Sequence, residues 1–342
     1  MIKKIVLLLL AALMLVMSGC SSRMFDWNSG NSSGIPGGNG KLYVAGWLRT
    51  IAIEGAQNSR KASFFKNIHW FNEINPVWYD VTYTNWDTNT YDPEVVSQAK
   101  GYGVKVVPTL GNVWRTDNGN GATIVNDLIG NESARIKHVQ DIVKLVNDKG
   151  YDGIDINYEN VGTTAINNAN KEFTNFISLL GQELAKVNKS LSVCVYTPVV
   201  QWQKWPELLP YVNSLKVMVY DCDLTANPVP ASICQLAALR RTLEYARGLG
   251  EVAKGKIIIG LPFYGRNWAK KKGDTTYSKS ALLYCGVQTL MQNNSISPTQ
   301  IMRSADGEPY FTYTKIEPDD KQVNTEFEHT VYFQDAMALR TR

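Results

Sequence analysis

The chain has 342 residues, of which 44% are hydrophobic and 19% are charged, and its formal net charge is +4. This length allows one large barrel-type domain or two smaller domains. The charge is too small, and the lysines and arginines are too dispersed, to indicate a nucleic-acid partner. The three histidines are far apart and no HExxH or paired-cysteine spacing occurs, so we expect no metal site and no cofactor.

The N-terminal segment is typical of an export signal. A basic start precedes an apolar run from Ile5 to Val16, which is too short to span a bilayer comfortably. Met17-Ser18-Gly19-Cys20 resembles a bacterial lipobox, so we expect a signal peptide over 1–19 and lipidation at Cys20; plain secretion with a free cysteine is the alternative. Residues 20–40 are rich in Ser, Gly and Asn and predict a flexible tether. The expected location is the outer face of a membrane or cell surface, as an exported bacterial lipoprotein.

From residue 41 onward, strands alternate with helices, which predicts a parallel α/β sheet. Strands are predicted over residues 42–47, 72–79, 104–110, 151–160, 191–196, 215–220 and 256–264. Helices are predicted over residues 93–100, 132–149, 171–187 and 235–249. Residues 269–328 break this alternation and predict a small, irregular or β insertion. Strand character returns at 329–333 and a helix begins at 335, but the chain stops before an eighth strand.

Local signals support three of these helices. Asp92 is a typical N-cap with Pro93 at the first helical position, and Gly150 is a typical residue to end a helix. Apolar residues at helical spacing predict the buried faces. These residues are Ile136, Val139, Ile142, Val143 and Val146 in one long helix, and Phe173, Phe176, Ile177, Leu180 and Leu184 in the next.

The fourth predicted strand carries three polar residues on one face. Side chains alternate along a strand, so Asp155, Asn157 and Glu159 point one way while Ile154, Ile156 and Tyr158 point the other. A helix is predicted on either side of this strand in sequence, so both of its faces should be covered. Barrel enzymes direct polar side chains from their strands towards the catalytic loops. The pattern therefore favours a catalytic strand over a structural polar ladder.

This strand resembles the signature of glycoside hydrolase family 18, the chitinase-like enzymes. The family pattern Asp-x-x-Asp-x-Asp-x-Glu is matched by Asp152, Asp155 and Glu159, with Asn157 in place of the third Asp. Four further segments resemble the family in the same order, and together the resemblance covers nearly all of 41–342. They are residues 75–79, 218–221, 260–266 and 331–335. The resemblance is nearer to the bacterial branch that acts on spore or cell-wall glycans.

The resemblance implies a (β/α)8 TIM-type barrel with an insertion after strand 7, here without strand 8. It implies a monomer that hydrolyses β-linked N-acetylglucosamine glycans, either chitin-type oligomers or peptidoglycan, by a retaining, substrate-assisted mechanism. Glu159 would act as acid and then as base, while Tyr220 would hydrogen-bond the substrate's acetamido group. Asp155 would lie one layer deeper. Asp152 has the opposite strand parity, which predicts a structural hydrogen-bond acceptor.

Residues near the predicted strand ends are candidates for contacting sugar. Trp47, Trp78, Tyr264 and Trp268 suit stacking on sugar rings, although each alone also suits a hydrophobic core. The predicted substrate-binding set is Trp47, Trp78, Asn112, Met218, Asp221, Tyr264 and Arg266.

Two departures from the family pattern leave a second hypothesis open. Asn157 can form hydrogen bonds but carries no charge, so it cannot offset positive charge that develops on the sugar. The sequence ends before the eighth strand, whose end supplies a sugar-binding Trp in the family, so either the sequence is truncated or the barrel is incomplete. The first hypothesis is therefore an endo-acting β-N-acetylglucosaminidase, and the alternative is a catalytically weakened glycan-binding protein on the same scaffold.

The cysteines allow one disulfide if the chain is exported. Cys222 and Cys234 are spaced to close the loop after the sixth strand, but sequence alone does not fix a pairing. Cys194 lies within an apolar strand and is expected to be a buried thiol.

Overall fold

The computed structural model describes residues 6–7, 43–49, 56–82, 86–87, 90–112, 121–161, 168–198, 202–222 and 229–342. The chain divides into two compact units, the first formed by Met1–Met218 and Glu244–Gly260 and the second by Val219–Leu243 and Leu261–Arg342. The predicted tether and the lipidation site Cys20 lie outside the described residues, as does the predicted signal peptide apart from Val6–Leu7.

The first unit contains one largely parallel sheet. Its strands are β1 (Val6–Leu7), β2 (Ala45–Leu48), β3 (Glu73–Val81), β4 (Trp86–Asp87), β5 (Lys105–Val106), β6 (Thr109–Gly111), β7 (Gly153–Asn157), β8 (Ser190–Tyr196), β9 (Ser214–Met218) and β10 (Ile257–Gly260). The hydrogen-bonded order is β1-β10-β9-β8-β7-β6-β3-β2, and the short strands β4 and β5 pair with β3. Among the described strands of this sheet, β4 alone pairs in the antiparallel direction.

Helices connect these strands in the α/β manner. They are α1 (Ala56–Asn67), α2 (Pro93–Gly101), α3 (Gly121–Gly130), α4 (Glu132–Asp148), α5 (Ala169–Lys186), α6 (Trp205–Leu208) and α7 (Leu236–Gly248). Asp92 caps α2 by accepting a hydrogen bond from the backbone of Glu94, as predicted. Gly150 follows α4 with a φ of 62°, the left-handed conformation that commonly ends a helix. Helices α1, α3 and α6 were not anticipated from the sequence.

The predicted parallel sheet of seven βα-type strands is confirmed, in the arrangement of a TIM-type barrel. Most strands differ from the prediction in their bounds; the strand predicted over residues 151–160, for example, spans only Gly153–Asn157. Proline accounts for two of the differences. Pro108 has no N–H to donate and separates β5 from β6. Pro262 similarly follows β10, so the predicted strand over 256–264 ends at Gly260.

Strand β7 lies in the middle of this sheet, between β6 and β8. Gly153 begins it opposite Ser190, and a Cβ at Gly153 would lie 2.2 Å from the Ser190 carbonyl oxygen. A glycine is therefore required for the two strands to approach here. Asp152 accepts a hydrogen bond of 2.8 Å from the Val106 backbone, so its predicted role as a structural acceptor is confirmed.

The two long helices, α4 and α5, pack against Tyr158 just beyond β7. All five predicted core residues of α5 are buried. In α4 the prediction was wrong for Ile136, which is 41% exposed, and it missed His138, which is 4% exposed. His138 packs on the rings of both Tyr158 and Phe176, which also contact each other, and its Nε2 is 2.7 Å from the Tyr158 hydroxyl.

His138 should make stability fall in acid. Burial lowers the pKa of His138 from 6.5 to about 4, so the unfolded chain binds the proton more readily between these values. Stability is thus reduced as pH falls below about 6.5, and the loss is complete below about 4. Urea unfolding at pH 7.5 and 4.5 should show that His138→Gln removes about 2–3 kcal/mol of this loss. His69→Gln, at an exposed site, is the control; an equal acid loss in both variants would contradict the assignment.

The second unit is built on an antiparallel sheet of five strands. These are β11 (Gly265–Lys271), β12 (Ser278–Leu282), β13 (Met302–Arg303), β14 (Pro309–Pro318) and β15 (Asn324–Tyr332), with helices α8 (Tyr284–Asn293) and α9 (Ala336–Arg340). The strand order is β12-β11-β15-β14-β13. Val287 of α8 packs on Phe311 and Val331 of the sheet. The sheet extends from Gly265 to Tyr332, beyond both ends of the predicted insertion, and α8 was not anticipated.

Cys194, Cys222, Cys234 and Cys285 are free thiols in the structure. Cys194 is buried, as predicted. In the part of the chain that the structure describes, no helix is both long enough and apolar enough to cross a membrane.

Candidate active site

Glu159 follows the end of β7, and two side chains hold its carboxyl group. The Tyr196 hydroxyl donates to Oε2 over 3.0 Å, and Asn157 Nδ2 donates to Oε1 over 3.1 Å. Burial, followed by the charge of Glu159, raises the pKa of Tyr196 far above its usual value, so this hydroxyl remains a donor. Glu159 itself is half-buried. A fixed carboxyl group with an open side is suited to exchange a proton with a bound molecule.

Asn112 fixes the backbone at Glu159. Its Oδ1 accepts from the Glu159 N–H over 2.8 Å, and its Nδ2 donates to the Glu159 carbonyl over 2.9 Å. Asn112 is 3% exposed. The sequence predicted that Asn112 contacts substrate, but the structure uses both ends of its amide to position Glu159.

Asn157 keeps one polar atom without a partner. Its Nδ2 donates to Glu159, while its buried Oδ1 accepts no hydrogen bond from any described residue. A buried acceptor without a donor is costly, so Oδ1 is a ready position for an N–H group of a ligand.

Asp155 is fully buried and lies deeper than Glu159, as the family resemblance implied. Oδ2 accepts from Trp47 Nε1 at 2.9 Å, from Thr109 Oγ1 at 2.9 Å and from Cys194 Sγ at 3.3 Å. Oδ1 accepts from Ser192 Oγ at 2.5 Å and lies 3.1 Å from Lys216 Nζ. Burial alone would raise the pKa of Asp155, but Lys216 and these donors outweigh it and hold that pKa below its usual value.

Lys216 supplies a positive charge beneath this site. Its Nζ lies 2.8 Å from Glu73 Oε1 as well as 3.1 Å from Asp155 Oδ1, and its side chain has no exposed surface. Burial would lower the pKa of Lys216, but the two carboxylates outweigh burial and raise it to about 12. Both Lys216 and Asp155 are therefore charged at neutral pH.

The predicted sugar-contacting residues of the first unit have different surroundings. Trp47 is half-buried, and its indole N–H donates to Asp155. Its ring packs closely on Gly260, since a Cβ added there would lie 3.1 Å from the ring. Met218 is 8% exposed and pairs in register with Tyr196. Trp78 is only 1% exposed and packs on Tyr91 and Tyr151. Trp78 is thus a core residue, which corrects its prediction as a sugar-stacking residue.

The second unit brings together five of the predicted residues. Asp221 Oδ1 accepts from Arg266 Nε over 3.0 Å, and Asp221 Oδ2 accepts from the Tyr264 hydroxyl over 2.5 Å. Tyr220 meets the Tyr264 ring edge to face at 6.0 Å. Trp268, which is 4% exposed, belongs to the same cluster of rings. These groups form a polar and aromatic surface within that unit.

The sequence prediction missed Tyr196 and Lys216. Tyr196 ends a predicted barrel strand, the place where barrel enzymes carry functional groups, so its position was a usable signal. Lys216 interrupts the apolar run of β9, and a lysine with the parity of Met218 should have indicated a buried charge. Among the described residues, no group of three His, Cys, Asp or Glu side chains is placed to hold a metal ion.

A carboxyl group held just beyond the central strand of a parallel α/β sheet is an arrangement found in TIM-barrel enzymes, glycosidases among them. Residues 68–336 match the sequence pattern of Glycosyl hydrolases family 18. The chain belongs to this family and is chitinase-like, as the motifs predicted.

Known proteins agree with this assignment. A Bacillus subtilis protein named as a sporulation-specific glycosylase, YdhD, is 27% identical over 243 residues, which is 69% of this chain and 53% of that protein. The chain therefore spans about half of that relative. The endochitinase of Manduca sexta is 22% identical over 228 residues, covering 58% of this chain and 40% of that protein.

A solved structure shows the same fold. The spore cortex-lytic enzyme SleL of Bacillus cereus superposes with a TM-score of 0.67 at 17% identity, covering 86% of this chain and 65% of that chain. At this sequence identity, the structural similarity supports the fold assignment alone.

Proposed function

We propose that this protein is an endo-acting glycosidase that cleaves β-linked N-acetylglucosamine glycans with retention of configuration. The observation that carries the proposal is Glu159, held at the end of β7 by Tyr196, Asn157 and Asn112. Membership of family 18 supports the substrate class, because the family includes substrate-assisted retaining enzymes. The names of the relatives, a sporulation glycosylase and an endochitinase, favour cell-wall or chitin-type glycans.

In the first step, protonated Glu159 gives its proton to the glycosidic oxygen as the bond from that oxygen to the anomeric carbon breaks. The acetamido oxygen of the same sugar attacks the anomeric carbon from the opposite face, which gives an oxazolinium ion. In the second step, the Glu159 carboxylate takes a proton from water, and that water opens the ring of the intermediate. Two inversions give net retention, and Glu159 ends in its starting protonation state.

Asn157 can orient the reacting groups through hydrogen bonds, although it carries no charge. Its unpaired Oδ1 is available to accept the acetamido N–H, which would orient the acetamido oxygen for attack. Its Nδ2 orients the Glu159 carboxyl group at the same time. Tyr220 lies in the second unit, and its proposed contact with the acetamido group stays a prediction from the sequence.

A second candidate function follows from the same residue. Because Asn157 carries no charge, it provides no electrostatic stabilisation of the oxazolinium ion. The same barrel would then bind glycans and turn them over very slowly.

Turnover of N-acetylglucosamine oligomers and of peptidoglycan fragments tests the proposal directly. Proton NMR of the first products should show the β-anomer at the new reducing end before mutarotation. Initial release of the α-anomer would contradict a retaining mechanism. Binding of oligomers without any turnover would favour the glycan-binding alternative.

Tyr196→Phe should lower kcat/KM by about tenfold to a hundredfold, because a hydrogen bond to a charged group contributes about 1.5–3 kcal/mol. Initial rates on a defined oligomer give the measurement. Tyr211→Phe, at an exposed tyrosine, is the matched control and should leave the rate unchanged. If Tyr196→Phe matches the wild type, the hydroxyl has no part in positioning Glu159 for the reaction.

A further inference from the structure

Lys216 is a charged residue in the interior of an apolar strand. It pairs in register with Cys194 on one side and Ile258 on the other, and its flanking residues Leu215 and Val217 are fully buried. Its ammonium group contacts Asp155 and Glu73, which come from two other strands. The three charges leave the cluster with one net negative charge.

Stability alone does not explain this arrangement. Burying an ion pair costs so much hydration that apolar replacements of similar volume are often neutral or stabilising. Glu73 is otherwise well satisfied, since it also accepts from the Tyr43 hydroxyl at 2.8 Å and from Asn75 Nδ2 at 2.9 Å. The contact of Lys216 that bears on the proposed active site is therefore the one with Asp155, four residues before Glu159.

We propose that Lys216 is a positioning residue that keeps Asp155 ionised and immobile, so that Asp155 serves as a fixed charge and Glu159 is the one carboxyl group of this strand that exchanges protons. The inference rests on the proposed function for its catalytic meaning. Its structural part is that Lys216 holds Asp155 in the ionised form, which we call the locked charge. This part can be tested without measuring activity.

The geometry around Asp155 supports a locked carboxylate. Three neutral side chains, the thiol of Cys194 and the ammonium of Lys216 are all directed at its two oxygens, which leaves little room for a proton. Among the described residues, the titratable groups in contact with Asp155 are Lys216 and Cys194, and Lys216 in turn contacts Glu73. Burial raises the pKa of Cys194 well above its usual value, so the thiol stays neutral.

Because Asn157 is neutral, the negative charge on Asp155 matters to the site. In a strand with Asn at this position, no second carboxyl group stands between Asp155 and Glu159 to pass a proton along. A protonated Asp155 would then simply lose the one negative charge that the buried cluster contributes below the site. Lys216 prevents that loss, because a cation in contact with a buried carboxylate favours its ionised form.

The Trp47 indole provides a direct reporter, because its N–H donates to Asp155 Oδ2. We would follow the indole 1H–15N resonance of Trp47 with pH, assigned with Trp47→Phe. In the wild type the resonance should stay constant between about pH 4 and pH 8, whereas in Lys216→Met it should titrate within that range. The variant Glu73→Gln retains Lys216 beside Asp155, so the Trp47 indole resonance of this variant should stay constant over the same pH range.

Two outcomes of this titration would overturn the proposal. One is a Trp47 resonance that titrates between about pH 4 and pH 8 in the wild type, and the other is a resonance that stays constant in folded Lys216→Met. If Lys216→Met does not fold, the double variant Lys216→Met/Glu73→Gln removes the second buried carboxylate and is judged by the same criterion. The exposed Lys254→Met is the control for loss of a positive charge.

The activity measurement is separate. Lys216→Met should lower kcat by about 10²-fold, the size expected for losing one electrostatic contribution, and should add an ionisation to the acid limb of the pH–rate profile. An unchanged acid limb would contradict the positioning role. If no variant turns over glycans, the proposed function fails, while the Trp47 titration still decides whether Lys216 locks Asp155.

Discussion

Glu159→Gln should lower kcat on N-acetylglucosamine oligomers by about 10³-fold or more while leaving their dissociation constant within a few-fold of the wild type. The group lost is the proton donor and acceptor, and general acid–base catalysis typically contributes about 10²–10⁴-fold. Glutamine has the same shape, so its Oε1 can still accept from Asn157 Nδ2. Its Nε2 can donate to the Tyr196 hydroxyl, which is able to act as acceptor as well as donor.

Chromatography of the cleaved oligomers gives kcat, and calorimetry gives the dissociation constant. Glu251→Gln is the matched control, because Glu251 is exposed and pairs only with Lys254 among the contacts of the described residues. Two results separate the candidate functions. Turnover that is present in the wild type and lost in Glu159→Gln supports a hydrolase. Equal affinity with no turnover in either protein supports a glycan-binding protein.

The sequence predicted the parts of the site that follow from strand alternation. Asp155, Asn157 and Glu159 share a face because the side chains of a strand alternate, and burial of Tyr158 against His138 confirms the opposite face. Alternation alone did not place Trp78, because the pairing register of β3 shifts between Val77 and Tyr79. Its burial against Tyr91 and Tyr151 follows from the fold.

The contacts that sequence could not supply join residues far apart in the chain. Lys216 and Glu73 are 143 positions apart, and nothing local to either residue shows that the pair meets in the barrel interior. Asn112 is similar, because its position at the end of a strand suits a ligand contact equally well. Only the fold shows that the loop after β7 returns to it, 47 positions later. Strand parity predicts a direction for each side chain, whereas its partner depends on the strand order.

The limits of the predicted insertion have a physical reason as well. The alternation of predicted strands and helices stops at residue 269, so the insertion was predicted to begin there. The antiparallel sheet starts four residues earlier because Gly265 begins β11 directly after the segment that contains Pro262. At the other end, residues 329–332 have strand character in both interpretations. They pair with β11 and β14 of the antiparallel sheet, which the period-two pattern alone cannot distinguish from a barrel strand.

Asn157→Asp should raise kcat by about 10²-fold or more, since it restores the negative charge that is missing beside the developing oxazolinium ion. The change is local, because Asn and Asp have nearly the same shape. In the wild type, Asn157 Nδ2 donates to Glu159 Oε1 over 3.1 Å. With two carboxyl groups at that separation, both cannot be ionised at once, so the pair should keep one proton to higher pH than the wild type does.

That shared proton makes the pH–rate profile as informative as the rate. The acid step needs a protonated Glu159, so the alkaline limb of kcat should move to higher pH in Asn157→Asp. Asn157→Ala is the matched control, since it removes the hydrogen bond without adding a charge and should lower kcat. A rate that rises with an unmoved alkaline limb would mean that the new charge acts on the substrate alone. If Asn157→Asp leaves kcat unchanged, then the locked charge of Asp155 already suffices, and Asn157 is a compatible residue in an active hydrolase.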